Sequence, residues 1–189
     1  MIGRDEAIGT SDTTKIASSV NPSIFQVVVL TVSDRCSAGS ATDTAGPAVA
    51  RLLRESMQAH VQAAEIIPDG RAGIADRLRT YADGRGINLI VLVGGTGLAP
   101  RDETPEAVRD VVERLTPGFD EAMRRESSAR TPMAMLSRAC SGIRGTTLIL
   151  ALPGSERAAV ENLRAILPAL PHGLAKLRGD PADCGRTAP

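Results

Sequence analysis

Leu89-Ile90-Val91-Leu92-Val93-Gly94-Gly95-Thr96-Gly97 sets five consecutive apolar residues directly against a loop with three glycines in four positions. An apolar run this short, with no polar alternation, reads as a strand covered on both faces. The glycines behind it let the backbone turn sharply and bring N–H groups close to a ligand. Beyond the loop, Val108, Val111, Val112 and Leu115 fall at i, i+3, i+4 and i+7. That spacing predicts one face of a helix, with Thr104 as N-cap and Pro105 at the first helical position. The unit is strand, glycine loop, helix.

The same alternation extends in both directions. Upstream lie a strand at Phe25–Val32, a helix carrying Val49, Leu52, Leu53 and Met57, a strand at 63–67 closed by Pro68-Asp69-Gly70, and a helix over 74–81. Downstream, a helix is expected over 119–130 and a buried strand over 147–152. A further helix should begin near Ser155, with Val160, Leu163, Ile166 and Leu167 on one side, until Pro168 and Pro171 end or kink it before a short last segment. Strands alternating with helices imply an α/β fold: three layers, a mostly parallel sheet with helices on both faces. Ligands in such folds bind beyond the carboxyl ends of the strands. One domain is expected over 24–178, between a polar, loosely ordered extension at 1–23 and an unstructured tail at 179–189.

Composition narrows the functional classes. The 189 residues are 42% hydrophobic and 23% charged, which suits a globular chain. Only 2% are aromatic and none is Trp, so aliphatic residues must build the core and the stacking platforms of single-strand nucleic-acid binders are missing. With 22 basic and 22 acidic residues the formal net charge is zero, which argues against a nucleic acid or an anionic membrane surface as partner. Cys36, Cys140 and Cys184 are widely spaced and form no Cys-x-x-Cys pair, and His60 and His172 are the only histidines, so a zinc site is not expected. No run approaches the roughly 18 apolar residues of a membrane span, and the N-terminus has no apolar stretch of the secretory type. A cytoplasmic protein with free thiols is expected.

The glycine loop suggests an anion site. Thr96 adds a hydroxyl and Arg101 a cation suited to phosphate. Asp102 would repel an anionic ligand unless a cation stands between them, and Mg²⁺ suits carboxylate and phosphate oxygens. A plain βα loop, with Thr104 capping and Asp102 solvated, would account for the same residues. The pattern is neither G-x-G-x-x-G, which disfavours a dinucleotide dehydrogenase, nor a Walker A loop. Asp69 sits in an ordinary Asp-Gly turn. Ser33, Asp34 and Arg35 follow a buried strand and either close it or meet a nucleotide. Ser137 and Arg138 read as a polar break between a helix and a strand. Pro153, Gly154 and Ser155 read as strand stop, turn and N-cap, and a helix N-terminus is also a phosphate site. His60, placed between a helix and the next strand, and His172 have no acidic neighbour in sequence, and Cys36 has no activating one.

Gly94-Gly95-Thr96-Gly97 followed by Arg101-Asp102-x-Thr104-Pro105-Glu106-Ala107 resembles the signature of the molybdopterin-binding family of molybdenum-cofactor biosynthesis, which includes the bacterial molybdopterin adenylyltransferases, their B-type relatives and the gephyrin G domain. Thr31-Val32-Ser33-Asp34-Arg35, Ile67-Pro68-Asp69, Pro117-Gly118-Phe119, Thr131 to Arg138 and Leu152-Pro153-Gly154-Ser155 extend the resemblance in order over about 25–178. The resemblance implies transfer of AMP from ATP to molybdopterin, with Asp69 and Asp102 as the acidic residues tied to the reaction and holding Mg²⁺. It implies that Ser33, Asp34, Arg35, Gly94, Gly95, Thr96, Gly97, Arg101, Thr104, Ser137, Arg138, Pro153, Gly154 and Ser155 bind molybdopterin or nucleotide, Ser137 and Arg138 on the pterin side. It also implies a homo-oligomer, most often a trimer, and a molybdenum-insertion enzyme as a further partner. The B-type branch implies the alternative of a non-catalytic molybdopterin carrier. Metal insertion by this chain itself would call for flanking domains that 189 residues do not accommodate.

Overall fold

The computed structural model describes residues 24–84 and 86–181. Six strands form one sheet: β1 (Gln26–Val32), β2 (His60–Ile67), β3 (Leu89–Val93), β4 (Arg114–Leu115), β5 (Ser141–Arg144) and β6 (Thr147–Leu152). The helices are α1 (Asp34–Ser37), α2 (Ala45–Met57), α3 (Arg71–Ala82), α4 (Thr104–Arg109), α5 (Pro117–Ser128), α6 (Glu156–Ile166) and α7 (Leu170–Leu177), with a 3₁₀ turn at Pro132–Leu136. The strand order is β2-β1-β3-β6-β5-β4. The first four strands of that order run parallel, and β5 and β4 are antiparallel additions at the far edge.

Period-two alternation sorts the side chains of the central strands into two cores. Val27, Val29, Val91 and Leu150 pack with Val49 and Leu53 of α2, Met123 of α5, Leu163 of α6 and Leu174 of α7. Val28, Leu30, Leu92 and Ile149 pack on the other face with Ile74 and Leu78 of α3 and Val108 of α4. β3 is buried along its whole length because it lies between β1 and β6, with helices above and below. This is the three-layer architecture expected from the continuous apolar run.

The chain leaves β1 for β2 on one side, then returns through α3 to β3 on the other side of β1. The carboxyl ends of β1 and β3 therefore flank a topological switch point, where the loops diverge and open a crevice. Val32 O and Leu152 O border the point where the chain leaves β3. The Gly94 N–H donates to Leu152 O at 3.0 Å, and a Cβ on Gly94 would stand 2.3 Å from Val32 O. Gly94 also holds φ +115°, so only glycine passes here without strain.

Several expectations are corrected. The helical face read from Val108 to Leu115 is too long: α4 stops at Arg109 and Leu115 is an exposed residue of β4. The reason is tertiary. The Arg71 side chain grips Asp110 through two bonds of 2.6 Å, and the chain then pairs with the sheet edge through Glu113 N–H to Ile143 O and Thr116 N–H to Ser141 O. β4 and β5 add two strands to those the sequence pattern predicts. Thr104 is the first residue of α4 rather than its cap; Glu103 occupies the cap position. β2 begins at His60, so that histidine lies on the edge strand itself. In α6 the buried positions are Ala159, Asn162, Leu163 and Ile166, with Val160 only half-buried. The expected extension at 1–23 and the end of the tail, 182–189, lie outside the described residues. Among the described residues, no helix is long and apolar enough to cross a membrane.

Candidate active site

Two cavities open at the carboxyl end of the sheet and share a wall made by Gly95, Asp102, Gly154 and Ser155. The first, of about 450 Å³, lies between the loops after β1, β2, β3 and β6 and is lined by Ser33, Asp34, Arg35, Asp69, Arg101 and Asp102, among others. The second, of about 500 Å³, lies between the glycine loop, α5, α6 and the 3₁₀ turn, and includes Thr96, Gly97, Ser137 and Pro153 in its lining.

The acidic side chains of the first cavity are braced by backbone donors. The Asp34 N–H donates to Asp69 Oδ2 at 2.9 Å and the Asp69 N–H donates to Asp34 Oδ1 at 3.0 Å. This reciprocal pair ties together the ends of β1 and β2. Asp69 Oδ1 points toward Gly95, 3.4 Å from where a Cβ on that glycine would stand. Across the cleft, Asp102 Oδ2 accepts the Ala99 N–H at 3.0 Å, and the Asp102 N–H returns a bond to Ala99 O at 2.9 Å. Ser33 caps α1, its Oγ accepting the Cys36 N–H at 3.2 Å. Arg35 and Arg101 are exposed cations on the rim.

Each carboxylate thus retains an oxygen beyond the one its backbone donor occupies. Among the described residues, no group of three or more His, Cys, Asp or Glu side chains could hold a metal by itself. Two carboxylates from opposite walls match the demand of Mg²⁺ instead, which usually takes one or two carboxylates and completes its shell with phosphate oxygens and water. The residues present fit that ion.

Thr104 is fully buried behind Gly95 and lines neither cavity, and its Oγ1 has no hydrogen-bond partner. A Cβ on Gly95 would stand 2.4 Å from this hydroxyl, and Gly95 has φ +62°. Arg138 also lines neither cavity; its guanidinium turns inward onto the glycine loop and Glu106. Burial pushes the Glu106 carboxyl up, but the Arg138 hydrogen bond and charge outweigh it and hold the group below the usual carboxylate range. Ser155, at the N-cap of α6, makes no capping bond with its side chain and faces both cavities.

Sequence reasoning passed over other lining residues. Asp43 accepts the Thr31 hydroxyl at 2.6 Å and the Gly46 N–H at 3.0 Å, fixing the start of α2 at the first cavity. Its signal was present, since Asp-Thr ahead of an apolar-periodic run is a helix-start pattern. In the second cavity Arg124 and Ser127 of α5, Met133 of the 3₁₀ turn and Asn162 of α6 converge. Asn162 donates to Ser127 Oγ at 3.0 Å and to Ala158 O at 2.7 Å. Arg124 and Ser127 share a helical face at i, i+3, but nothing in local spacing brings Met133 and Asn162 beside them.

A polar cleft at the switch point of a doubly wound sheet, with its acidic side chains braced by backbone N–H groups, defines an α/β protein with a ligand site at the carboxyl ends of its strands. The family described as a probable molybdopterin binding domain matches residues 28–172. A solved structure of the molybdopterin biosynthesis enzyme MoaB from Thermus thermophilus superposes with TM-score 0.78 and 47% identity, covering 85% of this chain and all of that one. Molybdopterin adenylyltransferase of Helicobacter pylori strain J99 is 40% identical over 152 residues, 78% of this chain and 85% of that protein. Gephyrin of Dictyostelium discoideum is 38% identical over 164 residues; these are 82% of this chain but only 23% of that longer protein. The chain belongs to the molybdopterin-binding family of molybdenum-cofactor biosynthesis.

Proposed function

We propose that this chain transfers AMP from ATP to the terminal phosphate of molybdopterin, giving adenylyl-molybdopterin and pyrophosphate. The observation that carries the reading is the position of Asp102, which borders both cavities while Asp69 faces it across the first. Two cavities meeting at a carboxylate-lined wall suit two substrates that react end to end. The name of the Helicobacter pylori relative supports the same reaction.

In this reading the nucleotide occupies the polar first cavity and the pterin the second. A phosphate oxygen of molybdopterin forms a bond to the α-phosphorus of ATP, and the bond from that phosphorus to the bridging oxygen breaks as pyrophosphate leaves. Arg35 and Arg101 meet phosphate charge, and Ser155 with the N-terminal N–H groups of α6 offers donors where the cavities join. Gly94 and Gly95 keep side chains away from the reacting atoms. The protein's part is positioning and electrostatics. Asp69 and Asp102 would hold Mg²⁺, which when bound neutralises charge on the phosphates.

The test is incubation of purified protein with molybdopterin, ATP and Mg²⁺, read by mass spectrometry. Adenylylated molybdopterin that requires Mg²⁺ and disappears in Asp69→Ala and Asp102→Ala is the expected result. Tight molybdopterin binding without product, from a folded sample supplied with ATP, would move the chain to the carrier reading. A cytoplasmic homotrimer that passes its product to a molybdenum-insertion enzyme completes the proposal. Light scattering should give three times the chain mass.

A further inference from the structure

We infer that Arg138, held by Glu106, is a positioning residue that aims the Asp102 carboxylate into the first cavity. The inference rests on the adenylyl-transfer reading for its catalytic consequence and on geometry for the clamp itself.

Asp102 does not choose its own direction. Its Oδ2 accepts the Ala99 N–H and lies 2.8 Å from the point a Cβ on Gly97 would occupy. Its aim is therefore set by where the backbones of Gly97, Ala99 and Asp102 stand. Arg138 holds two of those three. Nε donates to Gly97 O at 2.7 Å and an Nη2 hydrogen donates to Asp102 O. The Arg138 backbone N–H donates to Thr96 O at 2.9 Å. One residue thus fastens both ends of the 96–102 loop, whose middle runs through Gly97, Ala99, Pro100 and the exposed side chains of Leu98 and Arg101.

The guanidinium is oriented in turn by Glu106 on α4, through Nη1 to Oε1 at 2.5 Å. Arg109 also approaches Glu106, at 3.7 Å. Glu106 Oε2 is buried and has no partner, so the orientation of that carboxylate depends on what binds Oε1. Neither Arg138 nor Glu106 lines either of the two cavities, so in this arrangement each acts on the first cavity through the loop. Three acceptors at three angles match a planar fork; one lysine ammonium does not.

Arg138→Lys should lower kcat for AMP transfer about 100-fold, with KM for ATP within about threefold, because a displacement near 1 Å at a reacting group has that effect. Glu106→Gln keeps an acceptor but loses the charge, and should cost about tenfold in kcat. A merely structural role would multiply with any other lesion. A positioning role should not: Arg138→Lys added to Asp102→Asn should lower kcat no further than Asp102→Asn alone. Hydrogen exchange gives a readout independent of activity, with the Ala99 and Asp102 amides losing about tenfold protection in Arg138→Lys while the β3 amides stay unchanged. If wild type makes product and Arg138→Lys keeps kcat within twofold, the inference is overturned. If wild type makes no product, the adenylyl-transfer reading fails by itself. Amide protection then decides the clamp: loss at Ala99 and Asp102 upholds it, and unchanged protection overturns it.

Discussion

The two cavities of the site are built by different means. The first is shaped by backbone: N–H groups brace Asp34, Asp69 and Asp102, and Gly94 lies where a Cβ would meet Val32 O. The second is shaped by side chains from α5, α6 and the 3₁₀ turn, with Met133 exposed on its rim. Backbone bracing fixes charged groups within tenths of an ångström and tolerates almost no change. A wall of side chains can be trimmed and still stand. Under the proposed adenylyl transfer, the contrast suits the first cavity to precise placement of reacting groups and the second to recognition.

Gly94→Ala should have the largest effect. The added methyl meets a carbonyl and the residue must hold φ +115°, so a loss of about 3 kcal/mol or more is expected by chemical denaturation. A stable Gly94→Ala protein would break the contrast. Asp102→Asn should remove most turnover, about 100-fold in kcat, while molybdopterin still binds by calorimetry. Equal loss of binding would put Asp102 to work in the second cavity rather than between the two. Met133→Ala, on the side-chain wall, should raise KM for molybdopterin about threefold and leave kcat alone, the signature of lost uniform binding.

The smallest effect concerns a buried acid away from both cavities. Asp120 accepts the Ser141 N–H at 3.2 Å and its hydroxyl at 2.8 Å, yet burial pushes its carboxyl above the usual range. The folded state then binds a proton more readily than the unfolded chain. The stability contributed by Asp120 is therefore fullest below its unfolded value of roughly 4 and declines as pH rises through the folded value. Asp120→Asn should remove that decline, so its stability relative to wild type should improve from pH 4 upward in denaturation series.

What could be read ahead of the structure follows the same division. β1, β3 and β6 are fully buried, or nearly so, and their apolar runs are self-sufficient signals, while the loops behind them carry turn residues with known geometry. Asp69, Asp102, Ser33 and the glycines meet in one cleft because parallel strands deliver their carboxyl ends to one edge. β4 has two residues and no pattern of its own; it exists because Glu113 and Thr116 bond to β5. The i, i+3, i+4, i+7 series across Val108 to Leu115 is real spacing overruled by that pairing and by the grip of Arg71 on Asp110. Arg138 was legible as a family position, but its inward turn was not, since only tertiary packing sets Gly97 O, Asp102 O and Glu106 around it. The second cavity gathers residues from four separate segments, and local periodicity does not report such meetings.

Gly94, Gly95 and Gly154 meet where the cavities join, and a Cβ on Gly154 would stand 3.3 Å from the Gly94 Cα. Of the four residues that border both cavities, two are glycines and the other two are Asp102 and Ser155, which leaves point substitution little to retune there without touching the reaction itself. Divergence in substrate preference, natural or engineered, is therefore channelled to the rims, through residues such as Thr42, Ser127 and Met133. The chemistry at the junction should stay the same while descendants of this chain explore new ligands around it.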